Sequence, residues 1–518
     1  MPERPPLVDL DPAHALAAPS GVETHISVLL FAGSRAFKLC KPVDFGFVDY
    51  RTPDRRSDAM RHELVVNRRF APDVYLGTLD LTDPDGTVVD TALVMRWLPA
   101  DRRLSLVLSD AQRADTALRE VARQVASIHA ASPRSPEIDR AGSPEIVWKN
   151  WRDNLDTIAA AEDRIPIDPD DVERIGSLAA EYLAGRGELF ARRIADGHIV
   201  DGHGDLLADD IFCLDDGPRI LDALAFSDDL RCGDVLLDAA FLAMDVERRA
   251  GAALADRFLE WYGEFSAEHH PVSLAHFYVA YRASVRAKVA GLRAGQGDGL
   301  AAEHAVRDLR QCIDHLERAR VRMVLVGGPP GTGKSTLAGR LGDRLGWTVL
   351  STDEIRREAG EPADSGPDGF GAGRYRPSAI GSVYDEIRRR AALLAANGES
   401  VVLDASWSSA RERATLRMLA AEQHAVLVEL RCDIEPAVAD ERIRHRAAAG
   451  WSASDATPTI AHEMRARFAP WPEAVVIDTT SGSAATCDAA LGVLDRIGRS
   501  GRSHRLDPSG SASADPGP

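Results

Sequence analysis

The chain has 518 residues, of which 45% are hydrophobic and 27% are charged, a composition typical of soluble globular proteins. This length has room for about three compact units. The formal net charge of −18 at pH 7 argues against nucleic acid as an indiscriminate partner, because such binding depends on phosphate neutralisation. No N-terminal apolar run indicates a signal peptide, and no stretch has the length of a membrane span. We therefore expect a cytoplasmic protein with no membrane partner.

The six cysteines do not indicate a disulfide or zinc framework. They form no CxxC pair and have no regular spacing, whereas such frameworks show repeated short spacings. We expect reduced thiols and no zinc at Cys40, Cys213, Cys232, Cys312, Cys432 and Cys487.

The first part of the chain predicts a small β-sheet after a flexible arm. Residues 1–20 are rich in Pro and Ala, which favours the arm. Apolar runs on either side of a turn at 32–34 predict a hairpin, and two later runs predict a strand pair. The predicted strands are 25–31, 35–40, 74–79 and 88–97.

Lys38 and Glu63 are the first candidate site residues. Lys38 lies in the second predicted strand between apolar neighbours, and Glu63 lies in a predicted helix at 61–69. The two side chains could form an ion pair. A lysine in a strand is more commonly an exposed edge charge, so the pattern alone leaves both interpretations open.

Residues 105–315 are predicted to be mostly helical, with one acid-rich interruption at 201–212, DGHGDLLADDIF. An apolar strand pattern follows it. A loop and two short strands beside carboxylates are typical of metal-assisted chemistry, although a solvated acidic loop fits the spacing as well. The predicted helical segments are 111–131, 172–195, 236–265 and 274–294.

The sequence HGD at 203–205, with Asp222 further on, resembles the catalytic segment of the aminoglycoside-phosphotransferase and choline-kinase branch of protein-kinase-like proteins. The resemblance covers residues 21–315 and implies an α+β bilobal unit with a small β lobe and a large helical lobe. It also implies that Asp205 accepts the proton of the substrate hydroxyl and that Asp222 binds Mg²⁺.

By the same resemblance, Lys38 and Glu63 belong to the ATP-binding site, with Lys38 as the phosphate-binding lysine and Glu63 as its partner on the helix. The family pattern HGDLHxxN reads HGDLLADD here, so Leu207 replaces a histidine and Asp210 stands at the position of a metal-ligating asparagine. Asp210 could ligate Mg²⁺ as a hard oxygen donor, while its added charge could weaken nucleotide binding. The sequence thus leaves the activity of this half open.

The sequence GGPPGTGKST, residues 327–336, fits the P-loop pattern GxxxxGK[ST] between an apolar run at 323–326 and an amphipathic helix. The backbone N–H groups of such a turn, with the N-terminus of the following helix, bind phosphate oxygens. Lys334 would reach the outer phosphates and Ser335 would hold Mg²⁺. The predicted ATP-binding residues are Gly328, Pro329, Pro330, Gly331, Thr332, Gly333, Lys334, Ser335 and Thr336.

Residues 316–500 alternate between strand and helix patterns, which predicts an α/β P-loop NTPase unit with a parallel sheet. A charged helix at 304–320 is the predicted connector, and the Ser/Gly/Pro-rich residues 501–518 predict a disordered tail. The predicted strands after the P-loop are 348–351, 401–403, 425–430 and 474–477.

Three further residues of this unit are candidates for catalysis. Asp404 ends an apolar strand, where a carboxylate could reach Mg²⁺. Asp353 opens a helix after the second strand and could take a hydroxyl proton, with Arg356 one turn further on as a substrate contact. Asp353 could also serve only as a helix cap.

Arg442 and Arg446 lie four positions apart on a predicted helix, so they share one face. Such a face could close as a lid over transferring phosphates, or it could be an exposed basic surface. Arg411 and Arg413 are weaker candidates of the same type.

The motifs GGPPGTGKST, STDEIR and VVLDAS, with the helix of Arg442 and Arg446, resemble small P-loop kinases such as gluconate kinases and the kinase domain of phage polynucleotide kinase. The resemblance implies that Asp353 is the general base, that Arg356 contacts substrate and that the two lid arginines contact ATP. Lys334 would take part in catalysis.

The sequence therefore predicts an ATP- and Mg²⁺-dependent phosphotransferase. The P-loop half would phosphorylate a hydroxyl of a small molecule, beside a kinase-like half of open activity. The arrangement resembles bacterial bifunctional aminoglycoside phosphotransferase/ATP-binding proteins. A nucleotide-regulated sensing protein with a degenerate N-terminal half, and a polynucleotide 5′-hydroxyl kinase, are the alternatives. The acceptor, the oligomeric state and communication between the halves stay open.

Overall fold

The computed structural model divides the chain into two compact units. The first contains the residues up to Leu316 except Glu181–Gly187, and the second contains that segment and the residues from Glu317 onward. The structure describes residues 20–23, 26–44, 48–161, 163–295, 298–359, 377–448 and 457–499. The predicted arm at 1–20, apart from Ser20, and the predicted tail at 501–518 lie outside these residues.

The first unit opens with a β-sheet covered by one long helix. The elements are β1 (Ser20–Glu23), β2 (Ser27–Ala32), β3 (Arg35–Cys40), α1 (Pro53–Asn67), β4 (Tyr75–Thr82) and β5 (Val88–Arg96). In the described residues the strands pair antiparallel in the order β1-β2-β3-β5-β4. Apolar side chains of α1, β3 and β5 form one buried core, which holds the helix against the sheet.

The predicted hairpin and strand pair are both present, but the predicted helix at 61–69 begins earlier, at Pro53. Thr52 caps it by accepting a hydrogen bond from the Arg55 amide (3.4 Å). Pro53 occupies the first turn, where its missing N–H has no cost. This cap and proline, rather than apolar periodicity, set the start of the helix.

The rest of the first part of the chain is mostly helical, with two small strand pairs. Strands β6 (Ile199–Asp201) and β9 (Cys232–Asp234) pair antiparallel, as do β7 (Ile211–Leu214) and β8 (Gly217–Ile220). The helices are α2 (Leu104–Val107), α3 (Ala111–Ala131), α4 (Pro136–Asp139), α5 (Pro144–Ala159), α6 (Pro169–Gly185), α7 (Gly187–Ala195), α8 (Asp228–Arg231), α9 (Val235–Ala250), α10 (Ala252–Ser266), α11 (Val272–Ala294) and α12 (Ala301–Ala319).

Two predicted helices are each interrupted. The segment 172–195 is divided between α6 and α7, and the segment 236–265 is divided between α9 and α10. The second break falls at Gly251, whose backbone has φ 95° and ψ 162°, a conformation almost restricted to glycine. Helix α5 lies in the region predicted to be mostly helical but outside the four predicted segments; Ser143 caps it and Pro144 opens it.

The second unit is a parallel sheet with helices on both faces. Its elements are β10 (Arg322–Gly327), α13 (Lys334–Leu345), β11 (Thr348–Ser351), α14 (Thr352–Glu358), α15 (Pro377–Ala396), β12 (Val401–Asp404), α16 (Ala410–Glu422), β13 (Val426–Asp433), α17 (Pro436–Ala448), α18 (Pro458–Ala466), β14 (Val475–Asp478) and α19 (Ser483–Arg499). Within the described residues the strand order is β11-β12-β10-β13-β14, with every pair parallel. One core packs α15 and α16 on the sheet, and the other packs α13 and α19.

The predicted fold class is confirmed in both parts: an α+β bilobal unit precedes an α/β unit with a parallel sheet. The strands of the second unit fall where the sequence places them, and each ends at the same edge of the sheet as the P-loop. Every helix among the described residues is too short or too polar to cross a membrane.

The six cysteines, all within the described residues, are unpaired. Cys40 is buried beneath the first sheet, and Cys432 is buried in the sheet of the second unit. Burial raises the pKa of each of these two thiols to about 12.

Candidate active sites

Lys38 stands at the centre of the candidate site in the first unit. It projects from β3, and its Nζ lies 2.7 Å from Oε1 of Glu63 on α1 and 2.8 Å from Oδ1 of Asp222. The ion pair predicted between Lys38 and Glu63 is therefore present. Asp222, which follows β8, joins them from the helical part of the same unit.

These contacts control the charges of the three groups. Burial disfavours the charge on Lys38, but Asp222 and Glu63 outweigh it and hold the pKa of the lysine well above its ordinary value. Lys38 lowers the pKa of Asp222, so this carboxylate is ionised at neutral pH. Burial raises the pKa of Glu63, against the attraction of the lysine.

Asp222 is held by backbone contacts in a conformation unusual for a residue with a side chain. Its φ is 63°, and its backbone N–H donates to the Tyr75 hydroxyl (2.9 Å). The next residue, Ala223, donates its N–H to Oδ1 of the buried Asn67 (2.7 Å). Helix α1 and strand β4 thus fix the position of Asp222.

Asp205 lies in the loop that follows β6. Burial and the charge of Asp222 raise the pKa of Asp205 to about 6, in spite of Arg286 and Arg282. The loop itself is anchored by Asp238, whose carboxylate accepts the N–H groups of residues 203 (2.5 Å) and 204 (2.9 Å). Asp238 was not predicted from the sequence. An acidic residue on the buried face of a helix, here α9, is the pattern that could have indicated it.

Asp210 ends a short 3-10 helix, Ala208–Asp210, and faces the same site. Burial and the charges of Asp222 and Asp205 raise its pKa well above the ordinary value. Lys38, Asp210 and Asp222 together line a cleft of about 450 Å³. The rest of its wall is largely apolar and includes Leu29, Phe31, Ala36, Met95, Leu98, Phe212 and Leu221.

The P-loop of the second unit runs from the end of β10 to the start of α13, as predicted. Gly328 and Gly331 have φ of 140° and 85°. A Cβ at Gly331 would lie 2.5 Å from the carbonyl oxygen of Ala439, and one at Gly328 would lie 2.7 Å from that of Cys432. The turn therefore requires glycine at both positions, because neighbouring backbone packs directly against it. The same turn and the first residues of α13 contain the other predicted P-loop residues, Pro329, Pro330, Thr332, Gly333 and Thr336.

Asp404 lies at the end of β12, next to the start of the P-loop helix. Burial raises its pKa, while the charge of Lys334 and a hydrogen bond from Ser335 act in the opposite direction. Oδ2 accepts a weak hydrogen bond from the Ser351 hydroxyl (3.3 Å), but Oδ1 is buried and has no hydrogen-bond partner among the described residues. A buried carboxylate oxygen without a donor is suited to a cation.

Asp353 and Arg356 both lie on α14, at the same edge of the sheet. Asp353 Oδ1 lies 2.9 Å from Nη1 of Arg356. The Ser351 hydroxyl, not Asp353, caps the helix by accepting the N–H of Asp353 (3.3 Å). The carboxylate of Asp353 is therefore not used as a cap and remains partly exposed.

Arg442 and Arg446 line one cavity, as their spacing predicted. This cavity of about 410 Å³ also touches Gly331, Gly333 and Thr336 of the P-loop. Arg442 is held in place by Thr479, whose backbone oxygen accepts a hydrogen bond from Nη2 of Arg442 (2.9 Å). Thr479 was not predicted, and no local motif marks it.

Arg413 does not belong to such a basic surface. It is buried, donates to the backbone oxygen of Trp407 (2.6 Å) and stacks over Trp471, 5.0 Å from its ring centroid. Its interpretation as a weaker lid candidate is therefore wrong, and its role is to hold two loops together.

Mg²⁺ fits the donors of both units. Among the described residues, no group of three or more His, Cys, Asp or Glu side chains is arranged to hold a metal ion alone. Mg²⁺ in nucleotide sites commonly takes one or two protein oxygens together with phosphate oxygens. Ser335 with Asp404 in the second unit, and Asp210 with Asp222 in the first, supply such sets.

Comparison with known proteins gives one family model and several solved structures, each matching part of the chain. A family model described as an AAA domain matches residues 323–471. A gluconokinase structure from Sinorhizobium meliloti is 20% identical and covers 35% of this chain and 94% of its own, with a TM-score of 0.27. A choline/ethanolamine kinase family protein from Mesorhizobium loti is 14% identical and covers 59% of this chain and 90% of its own, with a TM-score of 0.39.

The fold and its sites place an α+β bilobal unit, with Lys38, Glu63 and Asp222 in contact, before an α/β unit with a P-loop and a parallel sheet. Two curated relatives are the uncharacterized proteins Rv2004c of Mycobacterium tuberculosis and Mb2027c of Mycobacterium bovis. Each is 42% identical over 464 residues, which cover 88% of this chain and 91% of the relative. The chain belongs to the family of these mycobacterial proteins.

Proposed function

We propose that the second unit transfers the γ-phosphoryl group of ATP to a hydroxyl of a small molecule. The observation that carries the proposal is the buried Asp404, whose Oδ1 lacks a donor among the described residues and which lies within electrostatic range of Lys334 and Asp353. A phosphate-binding turn, a cation ligand and a candidate base therefore meet at one edge of the sheet. This combination supports phosphoryl transfer.

Each group has a defined part in the reaction. The P-loop amides and Lys334 bind the β- and γ-phosphates, and Ser335 with Asp404 would hold Mg²⁺, which neutralises phosphate charge. The acceptor oxygen forms a bond to the γ-phosphorus, and the bond from that phosphorus to the bridging oxygen breaks. ADP leaves with the electron pair, and the hydroxyl proton passes to Asp353.

Arg356 orients this base. Its ion pair with Asp353 directs Oδ1 and keeps the carboxylate in place on α14. When an acceptor binds, the guanidinium also provides donors to an oxygen of that acceptor. Arg442 and Arg446, on the wall of the adjoining cavity, would contact the nucleotide.

The test is transfer from γ-labelled ATP to a panel of hydroxyl-bearing metabolites. Lys334→Ala and Asp353→Asn should each reduce transfer at least about 100-fold, as is typical for loss of a charge-stabilising or proton-accepting group. Lys149→Ala is the control, because Lys149 forms only an exposed pair with Asp153. Full transfer by both site variants would refute the proposal.

We further propose that the cleft of the first unit binds ATP. The support is that its apolar wall meets one lysine and two carboxylates, Lys38, Asp210 and Asp222, as adenine and Mg²⁺-bound phosphates would require. Asp205 would act on an acceptor hydroxyl there. If this cleft binds ATP without any transfer, the unit serves as the nucleotide sensor.

A further inference from the structure

A buried threonine connects the sheet of the second unit to its phosphate-binding turn. Thr479 directly follows β14 and is buried. Its backbone N–H donates to the oxygen of Asp433 at the end of the neighbouring strand β13 (3.1 Å). The sheet therefore fixes the position of Thr479.

The hydroxyl of Thr479 reaches the P-loop. Its Oγ1 donates to the backbone oxygen of Thr332 (2.7 Å), and the oxygen of Asp433 lies further from it (3.3 Å). A hydroxyl carries one proton, so the shorter contact is the hydrogen bond that it donates. Thr332 is itself buried, and its own hydroxyl donates to the oxygen of Pro329 within the turn (2.8 Å). Thr479 thus supplies a donor from outside the turn to a backbone oxygen inside it.

This hydrogen bond acts on a peptide group that faces the phosphate site. The oxygen of Thr332 and the N–H of Gly333 belong to the same peptide, which is planar and trans, so fixing the oxygen fixes the direction of the N–H. Gly333 is also the N-cap of α13, and among the described residues no side chain caps that helix. The N–H groups of its first turn are therefore left for phosphate oxygens.

Thr479 also holds Arg442 against the same turn. Its backbone oxygen accepts from Nη2 of Arg442 (2.9 Å), and its Oγ1 lies 3.4 Å from Nη1. A Cβ added at Gly333 would lie 3.6 Å from Nη1 of Arg442 and 3.7 Å from Oγ1 of Thr479. The guanidinium, the hydroxyl and the turn therefore meet on the wall of the cavity of about 410 Å³.

We propose that Thr479 is a positioning residue for the phosphate site of the second unit. Its hydroxyl sets the direction of the Gly333 N–H before nucleotide binds, so the turn loses little conformational freedom when phosphate arrives. This inference rests on the proposed function of the second unit and adds a residue that acts through the turn. Without the hydroxyl, the oxygen of Thr332 loses this donor and the peptide is free to rotate.

The test measures ATP binding to the full chain by calorimetry with Mg²⁺, in a Lys38→Ala background that removes the nucleotide site proposed in the first unit. Thr479→Val deletes the hydroxyl and keeps the backbone oxygen that holds Arg442. It should weaken ATP binding about five- to thirtyfold, the effect of a buried acceptor losing its donor. Thr479→Ser keeps the hydroxyl and should bind within about twofold of the parent. Thr480→Val is the matched control, because the exposed Thr480 donates its hydroxyl to Asp478 (2.9 Å).

The results separate this inference from the proposed function. Parental affinity in Thr479→Val would overturn the inference and leave the kinase function standing. Equal losses in Thr479→Val and Thr479→Ser would also overturn it, because they would assign the effect to side-chain shape. If no ATP binding is abolished by Lys334→Ala, both fail.

Folding is controlled separately. Binding is measured well below the melting temperature of each variant, so that unfolded chain does not lower the affinity. If Thr479→Val does not fold, Thr479→Ala takes its place with the same expected loss, because it removes the hydroxyl without pressing a methyl group on the Thr332 oxygen.

Discussion

Asp404 combines burial with a carboxylate oxygen that has no donor among the described residues. Its raised pKa shows that burial outweighs the attraction of Lys334. A group of this kind lowers stability when the site is empty and gains favourable contacts when a cation arrives. Function and stability should therefore respond in opposite directions when it is replaced.

We predict that Asp404→Asn reduces phosphoryl transfer at least about 100-fold and raises the Mg²⁺ concentration needed for half-maximal rate. Without Mg²⁺, the variant should unfold at the same or a higher temperature than wild type, because the amide removes a buried charge. Asp343→Asn, at an exposed position on α13, is the control. A variant that loses stability while keeping its Mg²⁺ response would show that Asp404 is only structural.

The raised pKa of Asp205 predicts that the stability of the folded chain depends on pH. Its pKa is raised from 3.8 to about 6 in the folded chain, so the folded state holds the proton more tightly than the unfolded state does. The contribution of this group to the free energy of unfolding therefore decreases as pH rises from 3.8 through about 6. Asp205→Asn should remove that decrease.

Urea unfolding of wild type and Asp205→Asn between pH 4.5 and 7.5 measures the difference, with the exposed Asp229→Asn as control. We expect wild type to become less stable relative to Asp205→Asn as the pH rises across this interval. A constant difference would contradict a raised pKa at this position.

At the level of elements, the sequence predicted the types and the order of the helices and strands well. It predicted their boundaries less well. The P-loop could be predicted because its phosphate-binding residues are contiguous in the sequence, from Gly328 to Thr336. The start of α1 and the break at Gly251 depend on caps and on one backbone conformation, which apolar periodicity does not report.

The candidate sites show the same limit. Lys38 and Glu63 could be paired in advance because strand and helix patterns place them, and their contact is present. Asp238 and Thr479 were missed because each acts through hydrogen bonds to residues more than twenty positions away. Such contacts leave no local pattern.

The break between α9 and α10 can be tested directly. We predict that Gly251→Ala destabilises the first unit by about 2 kcal/mol, since φ 95° with ψ 162° is strained for any residue with a Cβ. Steric contact is not involved, because a Cβ there meets nothing within 4 Å. Gly299→Ala, also in open space and without a positive φ, should change stability by less than about 0.5 kcal/mol. Equal effects in thermal or urea unfolding would refute the backbone explanation.

On the scale of the whole molecule, each of the two units presents, beside carboxylates, a lysine that we propose binds phosphate. Lys38 meets Glu63 and Asp222 in the first unit, and Lys334 lies near Asp404 in the second. The two arrangements arise from unrelated folds, one an antiparallel sheet with a helical part and the other a parallel sheet. One chain would then hold two nucleotides.

We predict a stoichiometry of two ATP per chain by calorimetry with Mg²⁺. Lys38→Ala and Lys334→Ala should each reduce it to one, and the double variant should bind none, while Lys149→Ala keeps both sites. A single site that disappears with Lys334→Ala and persists with Lys38→Ala would rule out nucleotide in the first cleft.

The buried thiols can be used to detect local opening of each unit. A thiol with a pKa of about 12 is almost entirely protonated at neutral pH, and only the thiolate attacks an alkylating reagent. Cys40 and Cys432 should therefore be alkylated only when local opening admits solvent, because each lies in the buried core of one unit. Mass spectrometry of the two modified peptides, followed over time with and without ATP, would reveal which half tightens around its ligand.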